Sequence, residues 1–185
     1  MKSSQIWTAP NQLTLLRLLF VPFIAIAVLD GRYGWALIIF IIAGVSDALD
    51  GLLARALKQH TVLGQYLDPI ADKLLLSTLF IVLSAVHKIP WRVTILVFTR
   101  DIFILVVAAL LYLIASVRDF RPTVYGKVNT LAQIITVFMA LLFQIHAVPW
   151  VEYGLGICLW ITVAFTLLSA ISYFIRVSAQ LRQSA

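Results

Sequence analysis

The chain has 185 residues, 62% hydrophobic and 12% charged, with a mean hydropathy of +1.01. That balance excludes an ordinary soluble domain, in which about a quarter of the residues carry charge. The formal charge of +6 does not point to nucleic acid, because the basic residues stand at the ends of apolar segments and form no contiguous soluble face. Anionic lipid head groups, or an anionic substrate, suit that distribution. Cys158 is the single cysteine and sits in an apolar run as a small core residue, which excludes an internal disulfide and a thiolate metal cluster.

In chain order, residues 1–12 come first. With Ile6, Trp7 and Pro10 they read as a short interfacial segment, and they lack the apolar core and cleavage site of a leader peptide. Six apolar segments follow, at 13–29, 34–53, 70–86, 92–117, 128–146 and 150–175, each near the roughly 20 residues a spanning helix needs. Asp30-Gly31-Arg32, Lys58-Gln59-His60-Thr61, His87-Lys88-Ile89-Pro90, the stretch Arg118 to Lys127, and Pro149 separate them. No linker or low-complexity tract divides the chain, so a single domain over 1–185 is expected. The predicted fold is an all-α membrane protein of six transmembrane helices, both ends on one side.

That side collects Lys2, Arg55, Lys58, Lys73, Arg118, Arg121, Lys127, Arg176 and Arg182, with Arg17 near it. The other holds Arg32, Lys88 and Arg92. The excess of positive charge predicts that the termini face the cytoplasm. Trp91, Trp150 and Tyr153 read as interfacial anchors, as does Tyr66. His60, His87 and His146 fall in loops and read as solvated residues.

Half of the eight acidic residues lie between Asp47 and Asp72. Each charge placed within an apolar helix costs about 2.5 to 3.5 kcal/mol on insertion scales, so a cluster of them calls for a cation. Asp47, Asp50, Gly51 and Ala54 fall at spacings of three and four and share one helical face. Asp68 and Asp72 are one turn apart on the next helix. Pro69 suits that helix's first turn or marks a kink within it. The donors are all hard oxygens, which favours magnesium or manganese over zinc or copper. Four carboxylates exceed the needs of one ion and suggest two, about 3.5 to 4 Å apart, an arrangement that serves phosphoryl displacement. Gly51, Ala54 and, in the connecting loop, Gly64 leave room for a diphosphate, and the Arg55 guanidinium suits a phosphate.

The run Asp47-x2-Asp50-Gly51-x2-Ala54-Arg55-x8-Gly64-x3-Asp68-x3-Asp72 resembles the complete signature of the CDP-alcohol phosphatidyltransferase family. The resemblance implies a six-helix membrane fold, a homodimer, and a cytoplasm-facing polar cavity in the cell's inner membrane that holds two divalent cations. It also implies displacement of CMP from CDP-diacylglycerol by an alcohol. Carried over by position, Asp47, Asp50, Asp68 and Asp72 resemble the metal ligands, and Asp72 is also the expected base for the acceptor hydroxyl. Asp50, Gly51, Ala54, Arg55 and Gly64 resemble the cradle for the cytidine diphosphate group.

The acceptor pocket falls outside the signature. Arg100 and Asp101 lie deep in the fourth segment; as sequence neighbours they are expected to point apart, with Arg100 either binding a phosphate or pairing with another helix. Lys127, Asn129 and Thr130 open the fifth segment, with Gln133 one turn further in. This half resembles both the phosphatidylglycerophosphate synthases and the cardiolipin synthases of the family. Lys127-Val-Asn129-Thr is nearer the second, and Arg100-Asp101 departs from the Arg-Glu often found in the first. Arg100, Arg118, Arg121 and Lys127 together suit a small anionic acceptor, glycerol 3-phosphate, with phosphatidylglycerol as the alternative. A divalent-cation transporter is a distant third reading, since acidic residues within spans also mark ion paths. It would need polar positions through both halves of the helices, whereas the carboxylates here gather at one end.

Overall fold

The computed structural model describes residues 9–57, 62–115 and 124–184, and their side chains at 15–46, 71–107 and 124–178. Six α-helices occupy them: α1 (Ala9–Leu29), α2 (Tyr33–Leu57), α3 (Val62–Ala85), α4 (Trp91–Ala115), α5 (Val124–Ile145) and α6 (Pro149–Ser184). Their number and order match the six apolar segments. Their limits differ for local reasons. α1 starts at Ala9, with Pro10 in its first turn where a missing N–H costs nothing; residues 9–12 of the expected interfacial segment are therefore helical, and residues 1–8 lie outside the described chain. α3 starts at Val62, which puts Gly64 inside a helix and not in a loop, and Pro69 two turns in. α6 runs on to Ser184 because Arg176-Val-Ser-Ala-Gln-Leu-Arg182 contains no glycine or proline to stop it.

Two tight turns cap helices in the same way. After α1, the Arg32 amide donates to the Ala27 carbonyl (2.8 Å) and Gly31 to Val28 (3.1 Å), with Gly31 at φ +70°. After α3, Lys88 donates to Leu83 (2.7 Å) and His87 to Ser84 (3.0 Å), and His87 takes the left-handed conformation at φ +59°. Both are Schellman caps, which need one left-handed residue. Glycine adopts it without penalty; histidine does so at a cost of roughly 1–2 kcal/mol.

The helices close into a ring. α1 packs on α2, α2 on α5, α5 on α6, α6 on α4, α4 on α3 and α3 on α1, while α3 and α5 also meet across the middle. The turns after α1, α3 and α5 make each of those helices antiparallel to the next, and the contacts of Arg17 with Asp72 and of Arg100 with Ser169 set the three pairs in one direction. The starts of α1, α3 and α5 thus share one end of the bundle, and the starts of α2, α4 and α6 share the other.

The interior has two zones. Ile24, Val28, Phe40, Leu79, Phe80, Leu83, Val97, Leu141 and Leu155 form an apolar core toward the end where α2, α4 and α6 begin. Toward the other end lie most of the buried polar residues, Arg17, Arg100, Asp101, Asn129, Gln133, Thr136, Thr162, Thr166 and Ser169, interspersed with Ala71, Ala132 and Val137; the apolar end holds one buried polar pair, Ser84 and Thr94, hydrogen-bonded at 2.6 Å. The outside is apolar, with Leu19, Phe23, Ile38, Leu105, Leu131, Trp160 and Phe174 exposed. An exposed apolar surface of this extent suits lipid and not water. Among the described residues, Val124–Ile145 and Pro149–Ser178 are long and apolar enough to cross a membrane, with mean hydropathies of 1.8 and 2.1. Leu15–Leu29 within α1 and Tyr33–Ser46 within α2 are shorter apolar stretches.

Candidate active site

The signature falls on two elements. Asp47, Asp50, Gly51, Ala54 and Arg55 lie on the final turns of α2, and Gly64, Asp68 and Asp72 on the first turns of α3. Both stretches belong to the bundle end with the polar interior. The side chains from Asp47 to Asp68 lie outside the described residues, as do Arg118 and Arg121. Among the described side chains, no three of His, Cys, Asp or Glu come together.

Asp72 is described. Its carboxylate is 40% exposed and accepts a hydrogen bond from Arg17, whose side chain is 2% exposed on α1. A buried guanidinium is tolerable only when paired, and this one is aimed at the carboxylate expected to act as base. The pair also shows that the starts of α1 and α3 share one end. The sequence reading put Arg17 on this side but named no partner for it; the signal was a lone arginine inside Leu15-Leu16-Arg17-Leu18-Leu19.

The next residue opens a second network. Lys73 Nζ donates to both oxygens of Asp101 at 2.7 Å. Arg100 Nη1 donates to Asp101 Oδ1 at 2.7 Å, and its Nε donates to Ser169 Oγ at 3.1 Å. The expectation that neighbouring residues cannot neutralise each other is therefore wrong here. The long Arg100 side chain curls back to the short Asp101 carboxylate, between α3 and α6, where each residue is only 8% exposed. One carboxylate thus ties together two cations from α3 and α4, and Arg100 carries the network on to α6 through Ser169. Lys127, by contrast, is exposed on the first turn of α5.

Above this network α5 and α6 present matching polar stripes. Asn129, Gln133 and Thr136 recur at steps of four and three, and Thr162, Thr166 and Ser169 repeat the steps on α6. Thr136 and Thr162 share a hydrogen bond of 2.8 Å, Thr136 donates to the Cys158 carbonyl at 3.1 Å, and Thr166 donates to Asn129 Oδ1 at 3.0 Å. Gln133 is fully buried and neither atom of its amide is hydrogen-bonded; Asn129 Nδ2 is likewise unsatisfied. An unsatisfied buried amide costs roughly 1–3 kcal/mol. The matched spacing was readable in sequence, although only the α5 half was noted there.

The model of the family described as CDP-alcohol phosphatidyltransferase matches residues 7–168. The human cardiolipin synthase (CMP-forming) is 34% identical over 91% of this chain and 61% of its own length. The Bacillus subtilis CDP-diacylglycerol–glycerol-3-phosphate 3-phosphatidyltransferase is 32% identical over 89% of this chain and 92% of its own. A probable phosphatidylglycerophosphate synthase of Mycobacterium tuberculosis is 38% identical over 69% of this chain and 62% of its own. The chain spans about three-fifths of the length of the cardiolipin synthase relative. On the family match over most of its length, and on the complete signature at Asp47 to Asp72, the chain belongs to the CDP-alcohol phosphatidyltransferase family.

Proposed function

We propose that this protein transfers the phosphatidyl group of CDP-diacylglycerol to glycerol 3-phosphate, releasing CMP and forming phosphatidylglycerophosphate. The observation that carries the reading is the complete signature in the sequence, with the half-buried Asp72 held by a buried arginine. The acceptor hydroxyl gives its proton to Asp72 as its oxygen bonds to the phosphorus that bears diacylglycerol. The bond from that phosphorus to the bridging oxygen breaks, and the electron pair leaves with CMP. Arg17 keeps the Asp72 carboxylate aimed, and Arg55 with Gly51, Ala54 and Gly64 holds the cytidine diphosphate.

Members of this family use divalent cations, and the donor set fits them, since four carboxylates offer only hard oxygens. Asp47, Asp50, Asp68 and Asp72 would hold two, magnesium or manganese, whose charge would offset that of the diphosphate. The apolar outer surface and the excess of Lys and Arg at the carboxylate end support six spans in the cell's inner membrane, with the site facing the cytoplasm. One domain over 1–185 and a homodimer complete the proposal, the second resting on the family alone.

The acceptor assignment rests on Lys127, exposed at the site's end of α5, on Arg118 and Arg121 in the same stretch of chain, and on the Bacillus relative, matched over almost its full length. A second acceptor, phosphatidylglycerol, is favoured by one observation: Arg100 is already bound by Asp101 and Ser169, which removes one cation from the set available to a small anion. The test is CMP release from CDP-diacylglycerol by the purified protein with magnesium, offered glycerol 3-phosphate, phosphatidylglycerol, inositol phosphate or serine. Release with glycerol 3-phosphate is expected. Release with phosphatidylglycerol alone would transfer the protein to cardiolipin synthesis, and none with any alcohol would favour the transport reading.

A further inference from the structure

A cavity of about 410 Å³ opens at the end of the bundle opposite the carboxylates, between the turn after α3 and the start of α6. It is a broad, open groove and not an enclosed pocket. His87, Lys88 and Glu152 give it charge of both signs, and Trp91, Phe143 and Leu159 give it an apolar wall. The Schellman cap fixes the backbone of His87 and Lys88 in the lining, next to the buried Ile89. The first cap of this kind uses glycine; this one carries a histidine that lines the cavity and accepts the left-handed penalty.

The charges are not consumed by each other. Lys88 and Glu152 line the same cavity without an ion pair between them, and the Lys88 ammonium lies 5.8 Å from the centre of the Tyr33 ring, near the limit of a cation–π contact. Around this end Trp35, Trp91, Trp150 and Tyr153 are all exposed at the starts of α2, α4 and α6. Such a girdle marks the head-group level of a bilayer.

We propose that this cavity binds a zwitterionic phospholipid whose head group carries a primary ammonium, as phosphatidylethanolamine does. The phosphate lies against Lys88 and His87, the ammonium donates to the Glu152 carboxylate, and the upper acyl chain runs over Phe143 and Leu159. A soluble phosphate compound has no use for the apolar wall. An anionic lipid would bring no cation to Glu152, and a trimethylammonium group cannot donate a hydrogen bond to it. The lipid recognised here is thus chemically distinct from the donor and product of the proposed reaction. The inference rests on the membrane arrangement and not on the chemistry at Asp72.

The test is native mass spectrometry of the full chain from bilayer discs of equimolar phosphatidylethanolamine, phosphatidylcholine and phosphatidylglycerol, with no CDP-lipid and no divalent cation present. Wild-type protein is expected to retain phosphatidylethanolamine at least about fivefold over either competitor. Glu152→Gln should bring it level with phosphatidylcholine, Glu152→Asp should keep the preference, and Lys88→Gln should lower retention of both zwitterionic lipids. Equal retention of all three lipids by wild type, preference for phosphatidylglycerol, or an unchanged preference in Glu152→Gln would each overturn the assignment. The readout is lipid binding, so failure of the proposed reaction would leave it intact.

Discussion

The two ends of the bundle are built from the same six helices but solve different problems. At one end Leu83, Leu141, Val97 and Phe80 interlock as in a soluble core. At the other, Arg17, Arg100, Asp101, Gln133 and the threonine stripes occupy the same depth. Hydrocarbon surrounds a bundle of this kind, so burying leucine gains little from water and works through close packing; burying arginine is expensive unless a carboxylate meets it. The difference teaches where to look for chemistry. At the polar end the buried charges are met by partners, Arg17 by Asp72 and Arg100 by Asp101.

The sharpest way to break the comparison is Asp101→Asn. Two cations, Lys73 and Arg100, lose their shared carboxylate, one of them almost fully buried, and stability should fall by about 3 kcal/mol. Chemical or thermal unfolding in detergent would read it. A loss as small as that of a surface substitution would mean the network is not holding α3, α4 and α6 together.

Next in size is Leu83→Ala in the apolar zone, where the side chain is fully buried. The cavity it leaves should cost about 2–3 kcal/mol in the same unfolding measurement. CMP release per folded molecule should stay near wild type. A large loss of turnover without loss of stability would show that the two ends are coupled and not separate.

The smallest effect is expected at Thr136→Val. It removes the hydroxyl shared with Thr162 and donated to the Cys158 carbonyl, yet hydrogen bonds between membrane helices average only about 0.6 kcal/mol. An effect above roughly 2 kcal/mol would assign the α5–α6 stripe a much larger part in stability than that average allows.

The sequence carried the helices and the signature, because apolar length and eight positions at fixed spacing are local properties. Asp47 to Asp72 was legible for that reason, and Gly31 announced its turn. What depends on the third dimension was not. Arg17 and Asp72 are far apart in the chain and meet only because α1 and α3 run side by side. Arg100 and Asp101 were expected to diverge from helical geometry alone, and length of side chain, together with Lys73 and Ser169 on other helices, overcame it. His87 looked like an ordinary loop residue, since nothing in its neighbours says that the cap after α3 requires a left-handed residue.

The most direct measurement is CMP release from CDP-diacylglycerol with magnesium and the accepted alcohol, comparing wild-type protein with Asp72→Asn of matched elution profile. Loss of a positioned general base should lower turnover by about 10²- to 10⁴-fold. Turnover within a few-fold of wild type would contradict the claim that the polar end of the bundle carries its chemistry through Asp72.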